Sequence, residues 1–207
     1  MEKLKEEYEI KNREIKYSGK HKVEEVTVKN GDREYKTEVF DRGNGAAALV
    51  YNTETKKFLF VEQYRTPVEG KMLEIVAGGV DEGEKTQEAV KREIAEELGY
   101  KVDKLDHITD FYSSPGNFKE IVALFYAEVS EKIGDGGGID GEKINVVEID
   151  DLGLNGNIFV NISEDGLITP PYKLIDAKSI IAVNWYVQNN LMTSLWKTVS
   201  DYKMKSF

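Results

Sequence analysis

The sequence contains no cysteine and only two histidines, His21 and His107, among its 207 residues. Without cysteine there is no disulfide framework, no thiolate metal site and no cysteine nucleophile. Two histidines are also too few for a histidine-rich zinc site. We therefore expect any metal ion in this protein to be bound by carboxylates.

Basic residues and long apolar runs are also scarce. The 28 Lys and Arg residues are outnumbered by 38 Asp and Glu residues, which gives a formal net charge of −10. This charge repels nucleic-acid phosphates and anionic lipids, so we expect neither nucleic acid nor a membrane as a partner. No run of 18 apolar residues is present, and the first sixteen residues are charged throughout, without the apolar segment of a secretory signal. We expect a cytoplasmic protein.

The residue pattern predicts strands mixed with two helices. Asn30-Gly31 separates two segments rich in β-branched and aromatic residues, which is typical of a β-hairpin. A second hairpin is predicted further along, and a helix is predicted to start with Thr86 as its N-cap and to stop at Gly99. This order predicts an α/β layered fold. The predicted strands are 21–28, 33–40, 46–51, 58–65, 107–113, 120–128 and 143–149, and the predicted helices are 86–98 and 177–202.

The first predicted helix has an apolar stripe and a cluster of carboxylates beside it. At 3.6 residues per turn, the stripe consists of Val90, Ile94 and Leu98. The carboxylates of Glu93, Glu96 and Glu97 crowd one side of the same two turns. Like charges one turn apart destabilise a helix by about 0.2–0.5 kcal/mol per pair, so a positive group is expected nearby.

A divalent cation is one candidate for that positive group. Arg92 is expected to pair with Glu96, but not to reach Glu93 and Glu97 at the edge of the apolar stripe. Hard oxygen ligands suit Mg²⁺, Mn²⁺ or Ca²⁺, and Mg²⁺ is commonly shared with substrate phosphates. Taken alone, however, the pattern E-x-x-E-E is more typical of a solvated, glutamate-rich helix face.

The wider segment favours the metal site. Residues 78–100 read GGVDEGEKTQEAVKREIAEELGY, which resembles the Nudix box, G-x5-E-x7-R-E-U-x-E-E-x-G-U, where U is a bulky hydrophobic residue. Only the last position, Tyr100, departs from the commoner aliphatic residue. The fixed positions that match are Gly78, Glu84, Arg92, Glu93, Ile94, Glu96, Glu97 and Gly99.

Sequences on both sides of the box narrow the resemblance. EQYRTPV (62–68), LEIVAGGVDEGE (73–84) and a Ser-Pro-Gly turn with Pro115 placed 16 residues after Gly99 are similar to nucleoside diphosphate sugar pyrophosphatases, the group that includes ADP-ribose pyrophosphatase. Residues 41–53 and 136–149 are similar to the GDP-mannose pyrophosphatase branch. The resemblance implies a Nudix-type α/β/α sandwich with a mixed β-sheet and an N-terminal antiparallel β-hairpin element. It also implies Mg²⁺-dependent hydrolysis of ADP-ribose, GDP-mannose or both to a nucleoside monophosphate and a sugar phosphate.

The resemblance also assigns roles to individual residues. The metal ligands, for Mg²⁺ or alternatively Mn²⁺, would be the backbone carbonyl of Ala77 and the carboxylates of Glu93, Glu97 and Glu142. Catalysis would involve Glu96, Glu97 and Glu142, with Arg92 orienting the box carboxylates. Glu142 has the alternative of being only a polar turn residue. Arg65 would contact the diphosphate and Glu120 the sugar side, and the remaining substrate-binding positions would be Glu38, Arg42 and Gly78.

The resemblance finally implies a homodimer with two regions in each chain. Residues 1–44 would form a dimerising β-element, and residues 45–207 the Nudix domain with its C-terminal helix. Two other functions remain open. One is a Nudix-fold sensor that binds nucleotide sugars without cleaving them, although such a sensor would be expected to lose box carboxylates. The other is hydrolysis of a nucleoside triphosphate or dinucleoside polyphosphate.

Overall fold

The N-terminal region forms a three-stranded antiparallel sheet in the order β1-β2-β3, with strands Tyr8–Ser18, Lys22–Asn30 and Arg33–Asp41. The structure, a computed structural model, describes residues 7–139, 141, 143–150, 174 and 176–204, and the side chains of the last helix as far as residue 190. The predicted hairpin is confirmed as β2 and β3, whose register closes on Asn30 and Arg33.

Strand β1 was not predicted, because no buried face identifies it. Every residue of β1 is exposed, so its charges hide the alternation of a strand. It is attached to β2 by its main-chain ladder and by exposed ion pairs such as Arg13 with Glu24, at 2.8 Å. The predicted two-stranded element is therefore part of a larger sheet.

The chain divides into two compact units. One consists of Met1–Gly45 with Asp110–Ala123, and the other of Ala46–Thr109 with Leu124–Phe207. The boundary predicted at residue 44 and the role predicted for each region stay predictions.

Seven further strands form the main sheet, which is mixed. Its path runs β10-β5-β4-β9-β8, with β6 paired to β5 and β7 paired to β4. The predicted strands are confirmed, although β8 and β9 are longer than predicted because charged residues at their exposed ends obscure the pattern. The strands are β4 Gly45–Asn52, β5 Lys57–Arg65, β6 Gly70–Glu74, β7 Val76–Gly79, β8 Tyr100–Tyr112, β9 Ile121–Lys132 and β10 Asn145–Ile149.

The core lies on the central strands of this sheet. Strand β4 is almost entirely buried, from Ala46 to Val50, and Phe58–Val61 of β5 is buried with it. Such continuous apolar runs are typical of strands covered on both faces. The strand ends that leave this core place polar residues at its edge, and Arg65 is the last residue of β5.

Two helices pack on the sheet. Helix α1, Thr86–Glu93, runs directly into a π-helical turn, Ile94–Leu98, which ends at Gly99 with a φ of 77°. The N-cap is Lys85 and not Thr86, so this boundary prediction was wrong by one residue; the Lys85 backbone N–H donates to the Glu88 carboxylate, at 3.3 Å.

The second helix confirms its prediction. Helix α2, Ala177–Met204, packs Tyr186 edge-on against Phe58 of β5, with ring centroids 4.7 Å apart. Among the described residues, neither helix combines the length and the apolar content needed to cross a lipid bilayer.

Candidate active site

The apolar stripe of helix α1 fixes the orientation of the carboxylates. Val90 and Ile94 are fully buried and Leu98 nearly so, as the spacing predicts. Burial of these three side chains turns Glu97 inward, where it is only 4% exposed, while Glu93 and Glu96 lie at the half-buried border. The π-helical turn contains both Glu96 and Glu97, and such turns are frequent at functional sites.

Arg92 is the centre of the charged cluster. Its guanidinium donates to both oxygens of Glu84, each at 3.1 Å, to Glu93 Oε1 at 2.7 Å and to Glu96 Oε2 at 3.2 Å. The expectation that Arg92 would not reach Glu93 was wrong, because the flexible side chain folds along the helix surface to its neighbour. Hydrogen bonds from Arg92 lower the pKa of Glu84, and the same bonds raise the pKa of Arg92.

Strand β7 brings its backbone directly against this cluster. The Arg92 Nη2 donates to the carbonyl of Gly79, at 2.9 Å. A side-chain carbon at Gly78 would overlap the carboxylate of Glu93. A larger residue at this first glycine of the box would therefore have to displace the Glu93 carboxylate from its contact with Arg92.

One cavity of the second unit brings together seven of the predicted site residues. It has a volume of about 180 Å³ and lies between the end of β5, strand β7, helix α1 with its π-helical turn, and the glycine-rich loop at Gly138 and Ile139. The predicted site residues that line it are Arg65, Ala77, Gly78, Arg92, Glu93, Glu96 and Glu97. Gln63, which the sequence did not single out, also lines the cavity.

The glycine-rich loop is bound to the end of the box helix. Backbone N–H groups of Gly137 and Gly138 donate to the carbonyls of Glu97 and Glu96, at 2.8 and 3.1 Å. These bonds satisfy carbonyls that a helix end otherwise leaves without an intrahelical partner. Glu142, the predicted ligand and catalytic residue of this loop, lies outside the described residues.

Three charged residues that the sequence did not identify form a series of ion pairs that begins at Arg65. Arg65 donates from Nε and Nη2 to the two oxygens of buried Glu74, at 2.5 and 2.9 Å. Lys178 of α2 contacts Glu74 as well, and it also donates to Asp176 at 2.9 Å. The signal in the sequence that could have identified this cluster is Glu74, a charged residue inside the apolar run 72–76.

The other predicted substrate residues belong to the first unit. Arg42 pairs with Glu120 at 3.2 Å, and Glu120 is only 8% exposed. The Glu38 carbonyl accepts a hydrogen bond from the Asn117 side chain, at 3.1 Å. Within this unit the Ser-Pro-Gly turn is thus attached to β3, and Arg42 and Glu120 contact each other.

The donor set of the cavity suits a hard divalent cation. Its side-chain and backbone donors are carboxylate and carbonyl oxygens, with no thiolate or imidazole among the lining residues. Among the residues that the structure describes, no three acidic or histidine side chains lie in an arrangement that could already hold a metal ion. Arg92 instead binds one oxygen each of Glu93 and Glu96.

Comparison with known proteins identifies the family. A model of the NUDIX domain matches residues 41–161. The chain belongs to the Nudix family. The family prediction from the box is confirmed, and members of this family generally use a divalent metal such as Mg²⁺.

Curated relatives include GDP-mannose pyrophosphatases from three bacteria. The Cronobacter sakazakii protein is 36% identical over 134 residues, which cover 60% of this chain and 70% of that protein. The Salmonella typhimurium protein is 37% identical with the same coverage. The Yersinia enterocolitica protein is 39% identical over 120 residues, 54% of this chain and 62% of the relative.

A solved structure shares the fold. The crystal structure described as an ADP compounds hydrolase superimposes with a TM-score of 0.70, covering 91% of this Nudix chain and 96% of that one, at 19% sequence identity. The predicted fold class, a mixed sheet with flanking helices and an N-terminal antiparallel element, is confirmed.

Proposed function

We propose that this Nudix protein is an enzyme that hydrolyses the pyrophosphate bond of nucleoside diphosphate sugars, giving a nucleoside monophosphate and a sugar phosphate. The observation that carries the proposal is the cavity lined by three carboxylates and two arginines. Relatives at 36–39% identity are GDP-mannose pyrophosphatases, and this supports a sugar nucleotide as the substrate class. GDP-mannose and ADP-ribose are the two candidate substrates.

The carboxylates are proposed to hold Mg²⁺, with Mn²⁺ as the alternative ion. Glu93, Glu97, the Ala77 carbonyl and Glu142 would hold it, and Glu96 would assist. A bound divalent cation would neutralise phosphate oxygens and lower the pKa of a water molecule. Arg92 already contacts Glu84, Glu93 and Glu96, so its part is to restrain these carboxylates and limit their mutual repulsion.

The arginines and glutamates outside the box are proposed to bind the substrate. Arg65 lines the cavity and has the planar guanidinium that suits two phosphate oxygens at once. Glu120 and Arg42 pair with each other in the first unit and are proposed to contact the sugar side, together with Glu38. Gly78 lines the cavity, and the Glu93 carboxylate occupies the space that a side chain at this position would fill.

The N-terminal sheet is proposed to form the interface of a homodimer. Large hydrophobic side chains remain exposed on this sheet, including Ile10, Ile15 and Tyr17 at 50–61% exposure. Burial of such groups against a second copy would remove apolar surface from water. This assigns residues 1–44 to dimerisation and residues 45–207 to the catalytic domain.

A substrate panel tests the proposed reaction. Purified protein with Mg²⁺ is incubated with GDP-mannose, ADP-ribose, ADP-glucose and a nucleoside triphosphate, and the products are identified by ³¹P NMR. We expect a nucleoside monophosphate and a sugar phosphate from at least one diphosphate sugar. Binding of the sugars without products would indicate a sensor, and cleavage of the triphosphate alone would indicate another Nudix substrate class.

The Glu97→Gln variant tests the role of the carboxylates. We expect kcat to fall by roughly 10²- to 10⁴-fold, the range contributed by catalytic acid–base groups, with an unchanged circular dichroism spectrum. Glu82→Gln is the matched control, since it makes the same chemical change at an exposed position of the box segment. Near wild-type turnover of Glu97→Gln at saturating Mg²⁺ would contradict the assignment.

A further inference from the structure

A second charged cluster, formed by Arg65, Glu74, Asp176 and Lys178, adjoins the cavity and has no part in the box. We propose that Glu74 and Lys178 are positioning residues that hold the Arg65 guanidinium in the orientation in which it binds the substrate diphosphate. The inference rests on the proposed function, because it takes Arg65 as the diphosphate-binding residue. It adds two residues that lie outside the box motif.

The contact between Arg65 and Glu74 fixes a plane and not only a distance. Two parallel bonds run from Nε and Nη2 of Arg65 to the two carboxylate oxygens of Glu74. Such a paired contact restrains the rotation of the guanidinium, whereas a single ion pair would not. Nη1 takes no part in this contact. Since Arg65 also lines the cavity, the restrained guanidinium belongs to both the pair and the site.

Glu74 is charged and almost fully buried, which requires compensation. Its side chain is 3% exposed. Removal of one partner of a buried ion pair is strongly destabilising, because it leaves the other charge buried without compensation. Lys178, with a side chain 16% exposed, supplies a second positive charge to the same carboxylate. Burial raises the pKa of Glu74, but hydrogen bonds with Arg65 and the charge of Lys178 outweigh it, so that the pKa is lowered.

Lys178 is itself held in place by the start of helix α2. Asp176 accepts a hydrogen bond from the backbone N–H of Ser179, at 3.1 Å, as a helix N-cap does. The Ser179 hydroxyl in turn accepts the N–H of Ile75, at 2.9 Å, next to Glu74. Asp176 also accepts from Lys178 at 2.9 Å. The first turn of α2 is thereby attached to Ile75, which directly follows Glu74 and lies 104 residues before Ser179 in the chain.

Strands β5 and β6, which contain Arg65 and Glu74, also contain a second ion pair that is neither buried nor part of the cavity. Lys71 of β6 pairs with Glu62 of β5 at 2.8 Å, and its partners are nine residues apart, as Arg65 and Glu74 are. The Lys71–Glu62 pair is exposed and does not line the cavity. It therefore separates the effect of any ion pair across β5 and β6 from the effect of orienting Arg65.

The test compares Glu74→Gln with the control Glu62→Gln, each in the wild-type chain and in an Arg65→Met background. kcat and KM are measured with the diphosphate sugar that the wild type hydrolyses. Kd for inorganic pyrophosphate is measured by calorimetry. In the wild-type chain, Glu74→Gln should lower kcat/KM and weaken pyrophosphate binding by about 10- to 100-fold, as for loss of a hydrogen bond between charged groups.

The coupling between Arg65 and Glu74 decides the proposal. In the Arg65→Met background we expect Glu74→Gln to change these constants by less than about threefold, because its effect acts through Arg65. Glu62→Gln should change them by less than about twofold in either background. Equal losses from Glu74→Gln with and without Arg65 would show a purely structural role and overturn the proposal.

Two variants of Lys178 keep the test decisive if Glu74→Gln does not fold. Lys178→Arg should retain pyrophosphate binding within about threefold, whereas Lys178→Met should weaken it by at least about fivefold. Identical binding by the two variants would overturn the proposal. A wild-type protein that hydrolyses no sugar nucleotide, yet shows this pattern of pyrophosphate binding, would refute the proposed function and leave the positioning role supported.

Discussion

Replacement of Gly136 by alanine tests how closely the glycine-rich loop depends on the box helix. Gly136 has a φ of +72°, a conformation that residues with a Cβ rarely adopt. A Cβ there would lie 2.6 Å from the Glu97 carbonyl oxygen, 2.7 Å from the carbonyl carbon of Leu98 and 3.0 Å from the nitrogen of Gly99. All three are backbone atoms, so no flexible side chain can move aside.

The expected destabilisation has two contributions. The left-handed conformation costs about 1–2 kcal/mol for a residue with a Cβ. Displacement of the loop also breaks the bonds from Gly137 and Gly138 to the carbonyls of Glu97 and Glu96, each contributing about 0.5–1.5 kcal/mol. The free energy of unfolding should therefore fall by about 2–5 kcal/mol.

Gly31→Ala is the control, because it isolates the first contribution. Gly31 also has a positive φ, +57°, but a Cβ there would meet nothing within 4 Å. We expect a loss of only about 1–2 kcal/mol for this variant. Unfolding in urea at 25 °C, followed by circular dichroism, gives both values from the transition midpoints when the slopes agree.

Equal losses of stability in the two variants would refute the reasoning. They would mean that the loop relaxes away from the helix without cost, so that its contacts with Glu96 and Glu97 add nothing. If the contacts matter as the distances indicate, kcat should also fall in Gly136→Ala and stay unchanged in Gly31→Ala, because only the first displaces the wall of the cavity.

Two further predictions concern acid stability and assembly. The pKa of Glu74 is lower in the folded state than in the unfolded state, so the ionised carboxylate stabilises the fold. This stabilisation is complete above the ordinary glutamate pKa of about 4.3 and is lost as the pH falls through the lowered value, because the unfolded state then binds more protons. The free energy of unfolding should thus fall less between about pH 5 and pH 2 in Glu74→Gln than in the wild type, and an identical fall would contradict the assignment. Light scattering should give the mass of a dimer, and Ile15→Lys with Tyr17→Lys, both at exposed positions of β1, should shift it toward the monomer; a wild-type monomer would refute the interface.

Elements with a local signal could be predicted from the sequence. The hairpin around Asn30-Gly31 depends on a turn that two adjacent residues specify, and the buried runs of β4 and β5 have the composition of covered strands. Strand β1 could not be predicted, because its stabilisation comes from pairing with β2 and not from a buried face of its own. Its pairing is a property of two segments, and neither segment shows it alone.

The same distinction separates the predicted from the unpredicted parts of the site. The carboxylates of α1 and of the π-helical turn that continues it lie within two turns, so their spacing determines which of them share a side. The environment of Arg65 depends instead on Lys178, which lies 113 positions away on a different helix, and no period in the sequence relates the two. The sequence does indicate that such a partner is required. A glutamate inside the apolar run 72–76 is expected to be buried, and a buried carboxylate requires a positive charge close by. Charged residues inside buried strands therefore indicate where the missing members of a site are to be sought, even when the fold alone determines which residues they are.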